Sequence, residues 1–267
     1  MLSKNLLTRI IILFIINGIK ESSSSLCSEK GTNNGTLRRL ISFDSGNDLY
    51  SARRAFDFGF TTVYEHVTSN PISSGKYGIV NEVPYYPSES RPFPSIWHIG
   101  TDHTGKSVGG RRNGGGWGSW VDWVGWGDWE DGKNEKGYML IINVENGDNS
   151  ILFSSTINGL SIGSFYEFSA YFANVVKGNQ RNIPNVRFEV KTATDSKDSL
   201  PCAITGPIQK KLDMDWTQYG LLFKASSESA VLLMISETSG GSGNTIAIDD
   251  IELRVCSTTH SDVCSTG

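Results

Sequence analysis

The sequence predicts an all-β protein built as a two-sheet antiparallel sandwich, and three observations carry that expectation. Short runs of alternating apolar and polar residues recur along the chain, clusters of turn-forming residues separate them, and no stretch of useful length has helical periodicity. Composition agrees: the 267 residues include 29 Gly, 8 Pro, 12 Phe, 9 Tyr and 7 Trp. With 38% hydrophobic and 19% charged residues, the chain is not a disordered acidic tail. Its 24 Lys and Arg stand against 28 Asp and Glu, for a net charge of -4, and no basic stripe is present, so nucleic acid is not an expected partner.

Residues 1–25 read as a signal peptide. Lys4 and Arg9 precede the apolar run Ile10–Ile16, and Asn17-Gly18 and a serine cluster follow, the order of a secretory leader. A span needs about 20 apolar residues, and this run is shorter; the competing reading is an uncleaved signal anchor. No second apolar stretch follows, so the expectation is a secreted, extracellular protein with no membrane span after cleavage. Residues 26–36 read as a Ser/Asn/Gly-rich linker that holds a glycosylation acceptor, Asn34-Gly35-Thr36.

The body reads as strands. Tyr166, Phe168, Ala170 and Phe172 form one apolar face, with Glu167 and Ser169 turned the other way; Val186, Phe188 and Val190 alternate with Arg187, Glu189 and Lys191. Further strands are expected at Leu40–Phe43, Thr61–Val67, Tyr77–Asn81, Tyr138–Val144, Ile151–Ile157, Trp216–Lys224, Ala230–Ser236 and Thr245–Val255. Turn clusters at 146–149 and 239–244 punctuate them. The last strand changes parity: Ile246 and Ile248 are even, whereas Ile251, Leu253 and Val255 are odd. A regular strand cannot turn both sets to one core, but one extra residue at Asp249-Asp250, a β-bulge, restores the facing. Two carboxylates that close raise one pKa or call for a cation; two solvated aspartates are the plainer alternative.

Four cysteines suit an oxidising compartment. Cys256 and Cys264 bracket a short polar loop and are the expected disulfide. Cys27 and Cys202 are then left to each other or to a partner chain.

Several segments together resemble the galactose-binding-like jelly-roll superfamily, which includes secreted carbohydrate-binding modules and MAM adhesion domains. The stretch Asn244-Thr245-Ile246-Ala247-Ile248-Asp249-Asp250-Ile251 resembles its closing strand, and Phe43-Asp44-Ser45-Gly46-Asn47 its opening one. Asp102-His103-Thr104-Gly105, followed by Gly137-Tyr138-Met139, resembles an internal segment. The likeness covers residues 37–256 and implies an all-β, two-sheet antiparallel jelly-roll sandwich, with 257–267 as a C-terminal tail. It departs from the family where Thr245 replaces an aspartate. The resemblance also implies a structural calcium ion joining the opening and closing strands. Asp44 with Asp250 or Asp249 are the best side-chain ligands carried over, and Asn47 and Asp102 are further ones. Calcium takes 6–8 oxygen ligands, which these segments can offer.

Residues 106–136 interrupt that likeness as a Gly/Trp-rich insertion. Trp117, Trp120, Trp123, Trp126 and Trp129 recur at every third position. An extended chain would align them as a ridge able to stack sugar rings; a low-complexity insertion or translated non-coding DNA is the competing reading. Tyr85, Tyr86, Phe93 and Trp97 lie on or next to a stiff Pro-rich loop and are the candidate ligand contacts, with pinning of the loop as the alternative. His98 and His103 flank Asp102, but neither has a zinc-spaced ligand set or a recognisable nucleophile. His103 is expected instead to hydrogen-bond across the sheet ends. No nucleophile elbow, phosphate loop or His-Glu-x-x-His motif occurs. The function expected is therefore a secreted, non-catalytic binding module for an extracellular glycan. The alternatives are a MAM-like domain binding a cell-surface or matrix protein, although the MAM cysteine pattern is not matched, and a secreted polysaccharide hydrolase.

Overall fold

The computed structural model describes residues 27, 35–69, 71–83, 97–103, 136–145, 150–177, 182–192, 201–211, 213–238, 241 and 243–256. Fifteen strands are formed: β1 (Gly35–Ile41), β2 (Ser45–Gly46), β3 (Glu65–His66), β4 (Lys76–Val80), β5 (Glu82–Val83), β6 (Gly100–Thr101), β7 (Lys136–Gly137), β8 (Met139–Asn143), β9 (Ile151–Asn158), β10 (Phe165–Asn174), β11 (Val186–Lys191), β12 (Cys202–Ile204), β13 (Thr217–Lys224), β14 (Ser229–Ser236) and β15 (Thr245–Cys256). The larger sheet runs β13-β10-β15-β8-β4-β3, with β1 alongside the second half of β15, and the smaller runs β12-β11-β14-β9. All ladders are antiparallel except the short β3–β4 contact, which is parallel. A 3₁₀ turn, Ala55–Phe58, interrupts the β-structure; Gly59 closes it at φ 77°, a left-handed conformation that glycine adopts without a Cβ clash. No helix among the described residues is long and apolar enough to cross a membrane.

The two sheets face each other across an aromatic core. Phe168 meets Phe188 edge-on at 5.2 Å and Phe153 at 5.8 Å, and Phe60 stacks on Phe153 at 5.0 Å. The even residues of β10, from Tyr166 to Phe172, all lie in this core, as their alternation predicts.

The bulge is present. Ser169 pairs with Glu252 and Tyr171 with Asp249, so Ala170 faces both Asp250 and Ile251. Asp250 accordingly takes φ 42°. Ile246 and Ile248 before the bulge, and Ile251 and Leu253 after it, join one core.

A second apolar cluster lies on the other side of the larger sheet, where Met139, Ile141, Ala173, Val175 and Ala247 are covered by Trp97 and Met214. Half of that sheet is therefore buried on both faces, which its near-continuous apolar runs allow.

Two expectations are corrected here. Cys256 bonds to Cys27, not to Cys264. The cause is the β1–β15 ladder: Gly35 sits opposite Cys256 and next to the Cys27 side chain, so Cys27 reaches Cys256 with a Cα separation of 5.4 Å. Cys202 is free and exposed, while Cys264 and the rest of 257–267 lie outside the described residues. β1 also takes in Gly35 and Thr36, which lie inside the stretch read as linker.

Candidate functional site

The bulge aims two consecutive carboxylates toward the segment Trp97–His103. That segment is anchored by main-chain bonds: Trp97 bridges to Val176, and the His98 N–H donates to the Val175 carbonyl at 2.7 Å. Gly100 lies against Met214, and Gly137 lies so close to Asp102 that neither glycine has room for a Cβ. These approaches deliver Asp102 and His103 to the end of β15.

Asp249 is 2% exposed. Its Oδ1 accepts from the Asp250 N–H at 2.8 Å and its Oδ2 from the His103 N–H at 3.0 Å. Burial, followed by the charge of Asp250, pushes its carboxyl up to about 8 despite those two bonds. Asp250 Oδ2 meets His103 Nδ1 at 2.8 Å. The imidazole lies flat on Tyr171, with ring centroids 3.4 Å apart, and is edge-on to Trp216 at 6.5 Å. The Trp216 Nε1–H donates in turn to the Thr101 carbonyl at 3.1 Å. One ligand atom each from His103, Asp249 and Asp250 fall within 4.8 Å of one another.

The terminal strands do meet, since Ile41 pairs with Ile251 and Ser45 with Gly137. The side chains expected to clasp calcium from the opening segment do not gather with this cluster. The Asp44 carboxylate is over half exposed and paired with Arg53, and Asn47 is exposed. Asp102 is buried at 5% and acts on Asp249 through its charge. Calcium takes six or more oxygen ligands, and of the carried-over residues Asp249 and Asp250 are the ones that cluster, together with His103.

Next to this cluster, the outer face of the larger sheet carries three cross-strand rows. Leu222, Glu167 and Arg254 form one, Gly220, Ser169 and Glu252 the second, and Gln218, Tyr171 and Asp249 the third. The Arg254 guanidinium grips Glu252 through two bonds, at 2.7 and 2.9 Å. Burial and the Glu252 and Asp250 charges hold the Tyr171 phenol above its usual range, so it stays a donor. Beneath the half-buried rim, Glu167 and Ser169 are both 0% exposed. Ser169 Oγ donates to Glu167 Oε1 at 2.9 Å, and Glu167 Oε2 has no partner. Gly220 is required here, because a Cβ would lie 2.7 Å from the Ser169 Cβ and 2.8 Å from the Phe168 carbonyl oxygen.

Alternation along β10 already turns Glu167 and Ser169 away from the core, and Tyr171 is the next residue of that period. Glu252 and Arg254 carry the same signal, since they alternate with Ile251, Leu253 and Val255. Among the expected ligand contacts, Trp97 is corrected: at 3% exposed it is a wedge in the second apolar cluster and has no face open to a sugar. Trp216, the first residue of the strand expected at Trp216–Lys224, is half-buried and packs against that same cluster. Tyr85, Tyr86, Phe93, Asn34 and the tryptophans at 117–129 lie outside the described residues.

His98 supplies a pH prediction. It is 5% exposed with Nε2 unpartnered. Burial, then the Lys177 charge, lowers its pKa, with Asp213 opposing; His66 is lowered by burial and Arg54. An imidazole depressed in the folded state favours folding above its unfolded pKa near 6.5, and that contribution is lost as pH falls toward the folded value. Between pH 7 and pH 5 the parent should therefore lose melting temperature relative to His98→Asn, while the Asp249 carboxyl, raised to about 8, acts with the opposite sign in both proteins. A steeper fall in the variant would contradict the assignment.

No protein-family model matches the chain, and no curated protein does. Among solved structures, a cyclase from Fischerella sp. TAU is 14% identical, over 89% of this chain and 96% of its own, with a TM-score of 0.40. The CBM22-1 xylan-binding domain of Xyn10C from Paenibacillus barcinonensis is 11% identical, over 84% and 97%, with a TM-score of 0.39. The EclA C-terminal domain, a sugar-binding protein, is 20% identical over 42% and 74%, with a TM-score of 0.34. With all three TM-scores at 0.40 or below, none of these proteins lends its activity to this chain.

Proposed function

We propose that this chain is a secreted, non-catalytic carbohydrate-binding module that takes a glycan on the outer face of its larger sheet. The observation that carries the reading is the composition of that face. An aromatic donor (Tyr171), an amide (Gln218) and an Arg254–Glu252 fork lie around the cross-strand pair of Gly220 and Ser169. Sugar hydroxyls are recognised by such planar polar side chains, which donate and accept in fixed directions, next to an aromatic ring. The leader-like residues 1–25 and the Cys27–Cys256 bond support secretion, since such bonds persist in oxidising compartments.

The adhesion alternative has one observation of its own. Leu37 and Leu40, opposite Arg254 and Glu252 on β1, are 42% and 44% exposed and would suit a protein surface.

A glycan array probed with the purified chain tests the reading. Saturable binding to a sugar class is expected, weakened at least tenfold by Tyr171→Ala and by Gln218→Ala in variants that keep the parent circular dichroism spectrum. A blank array, or binding untouched by both substitutions, would overturn it and favour the protein-binding alternative. Trp97→Ala is unsuited as a probe, because it opens the second apolar cluster.

A further inference from the structure

We infer that His103, Asp249 and Asp250 form a binding site for a divalent transition metal of the zinc class, not for calcium. Three features of the cluster carry this independently of the glycan reading.

The first is the donor set. Ligand atoms from all three side chains converge within 4.8 Å, and one of them is an imidazole nitrogen. Neutral imidazole suits zinc, nickel, cobalt and copper, whereas calcium takes oxygen alone. Of the opening-strand side chains carried over for calcium, Asp44 is paired with Arg53.

The second is charge. Asp249 and Asp250 are adjacent and both face His103, through its N–H and its Nδ1, and a dication would offset the negative charge gathered there.

The third is support for the ligands. Backbone N–H groups of His103 and Asp250 each occupy one lone pair on the two Asp249 oxygens, leaving a second lone pair on each for an ion. The imidazole is stacked on Tyr171 and meets Trp216 edge-on. Such outer partners hold metal ligands in place. His103 and Asp250 have side-chain exposures of 26% and 16%, so the site is open to solvent and has positions left for water. On binding, any proton on Nδ1 passes to solvent and the Nδ1–Asp250 hydrogen bond is exchanged for two metal bonds.

The test uses the full chain stripped with chelator and titrated with zinc or calcium chloride by calorimetry and thermal melting. Zinc should bind stoichiometrically and raise the melting temperature, with calcium at least tenfold weaker. His103→Asn and Asp250→Asn should each weaken zinc at least tenfold. Calcium binding tighter than zinc, or zinc affinity unchanged in both variants, overturns the site. Should a variant fail to fold, histidine ring ¹⁵N spectra of the parent chain decide. A zinc-induced shift at His103 Nδ1 supports the site, and an unmoved His103 with shifts at another histidine overturns it. Loss of zinc binding with sugar binding intact, or the reverse, separates this inference from the proposed function.

Discussion

Replacing Cys256 with serine should lower the unfolding free energy by about 4 kcal/mol. The bond to Cys27 spans 229 residues of sequence, so its loss frees a very long loop in the unfolded chain, where the chain-entropy model puts the effect near the top of the usual range. The folded state depends on it as well. β1 has one fully buried residue, Ile41, and its other side chains are at least partly exposed. The strand is held mainly by its ladder to β15 and by this cross-link at its outer end. Guanidinium unfolding of Cys256→Ser and Cys27→Ser should give equal losses, with no further loss in the double variant, because both remove one bond. If Cys256 paired with Cys264 instead, Cys27→Ser would be neutral and Cys264→Ser costly. Peptide mapping reads the pairing directly, through a cross-linked fragment containing Cys27.

The elements legible in the sequence are those specified locally. Alternation at 165–172 and 186–191 locates two strands and their faces, because a half-buried strand writes its orientation into every second residue. The bulge is legible for the same reason: the parity of the isoleucines changes across Asp249-Asp250. What the sequence conceals is non-local. Nothing near Trp97 reveals that residues 97–103 fold back over the outer face of β8 and β10, turning an apparent platform into a core residue. Cys27 has no local link to Cys256 until β1 docks beside β15. His103 is expected to bond across the sheet ends, and it does bond Asp250. Its place in a donor cluster is invisible in the sequence because its partners lie 146 and 147 residues away, and the spacing rules for metal motifs describe neighbours in sequence.

Deleting Asp250 should leave cooperative folding intact and abolish the response to zinc. The bulge accommodates one extra residue, and its removal brings Ile246, Ile248, Ile251, Leu253 and Val255 onto one parity, so a regular β15 turns all five to the core. The ladders survive as well: Ser169 keeps Glu252 and Tyr171 keeps Asp249, with Ala170 left opposite Ile251 alone. The deletion also removes the φ of 42° that Asp250 holds, a left-handed backbone that costs a non-glycine residue about 1–2 kcal/mol, and this offsets the lost contact with His103. Asp250→Gly keeps the residue count and suits that φ, so its stability should stay within about 1 kcal/mol of the parent. Both variants lose the carboxylate and with it the response to zinc, while only the deletion straightens the strand. A deletion variant that no longer unfolds cooperatively would show that the extra residue does more than set the facing of β15.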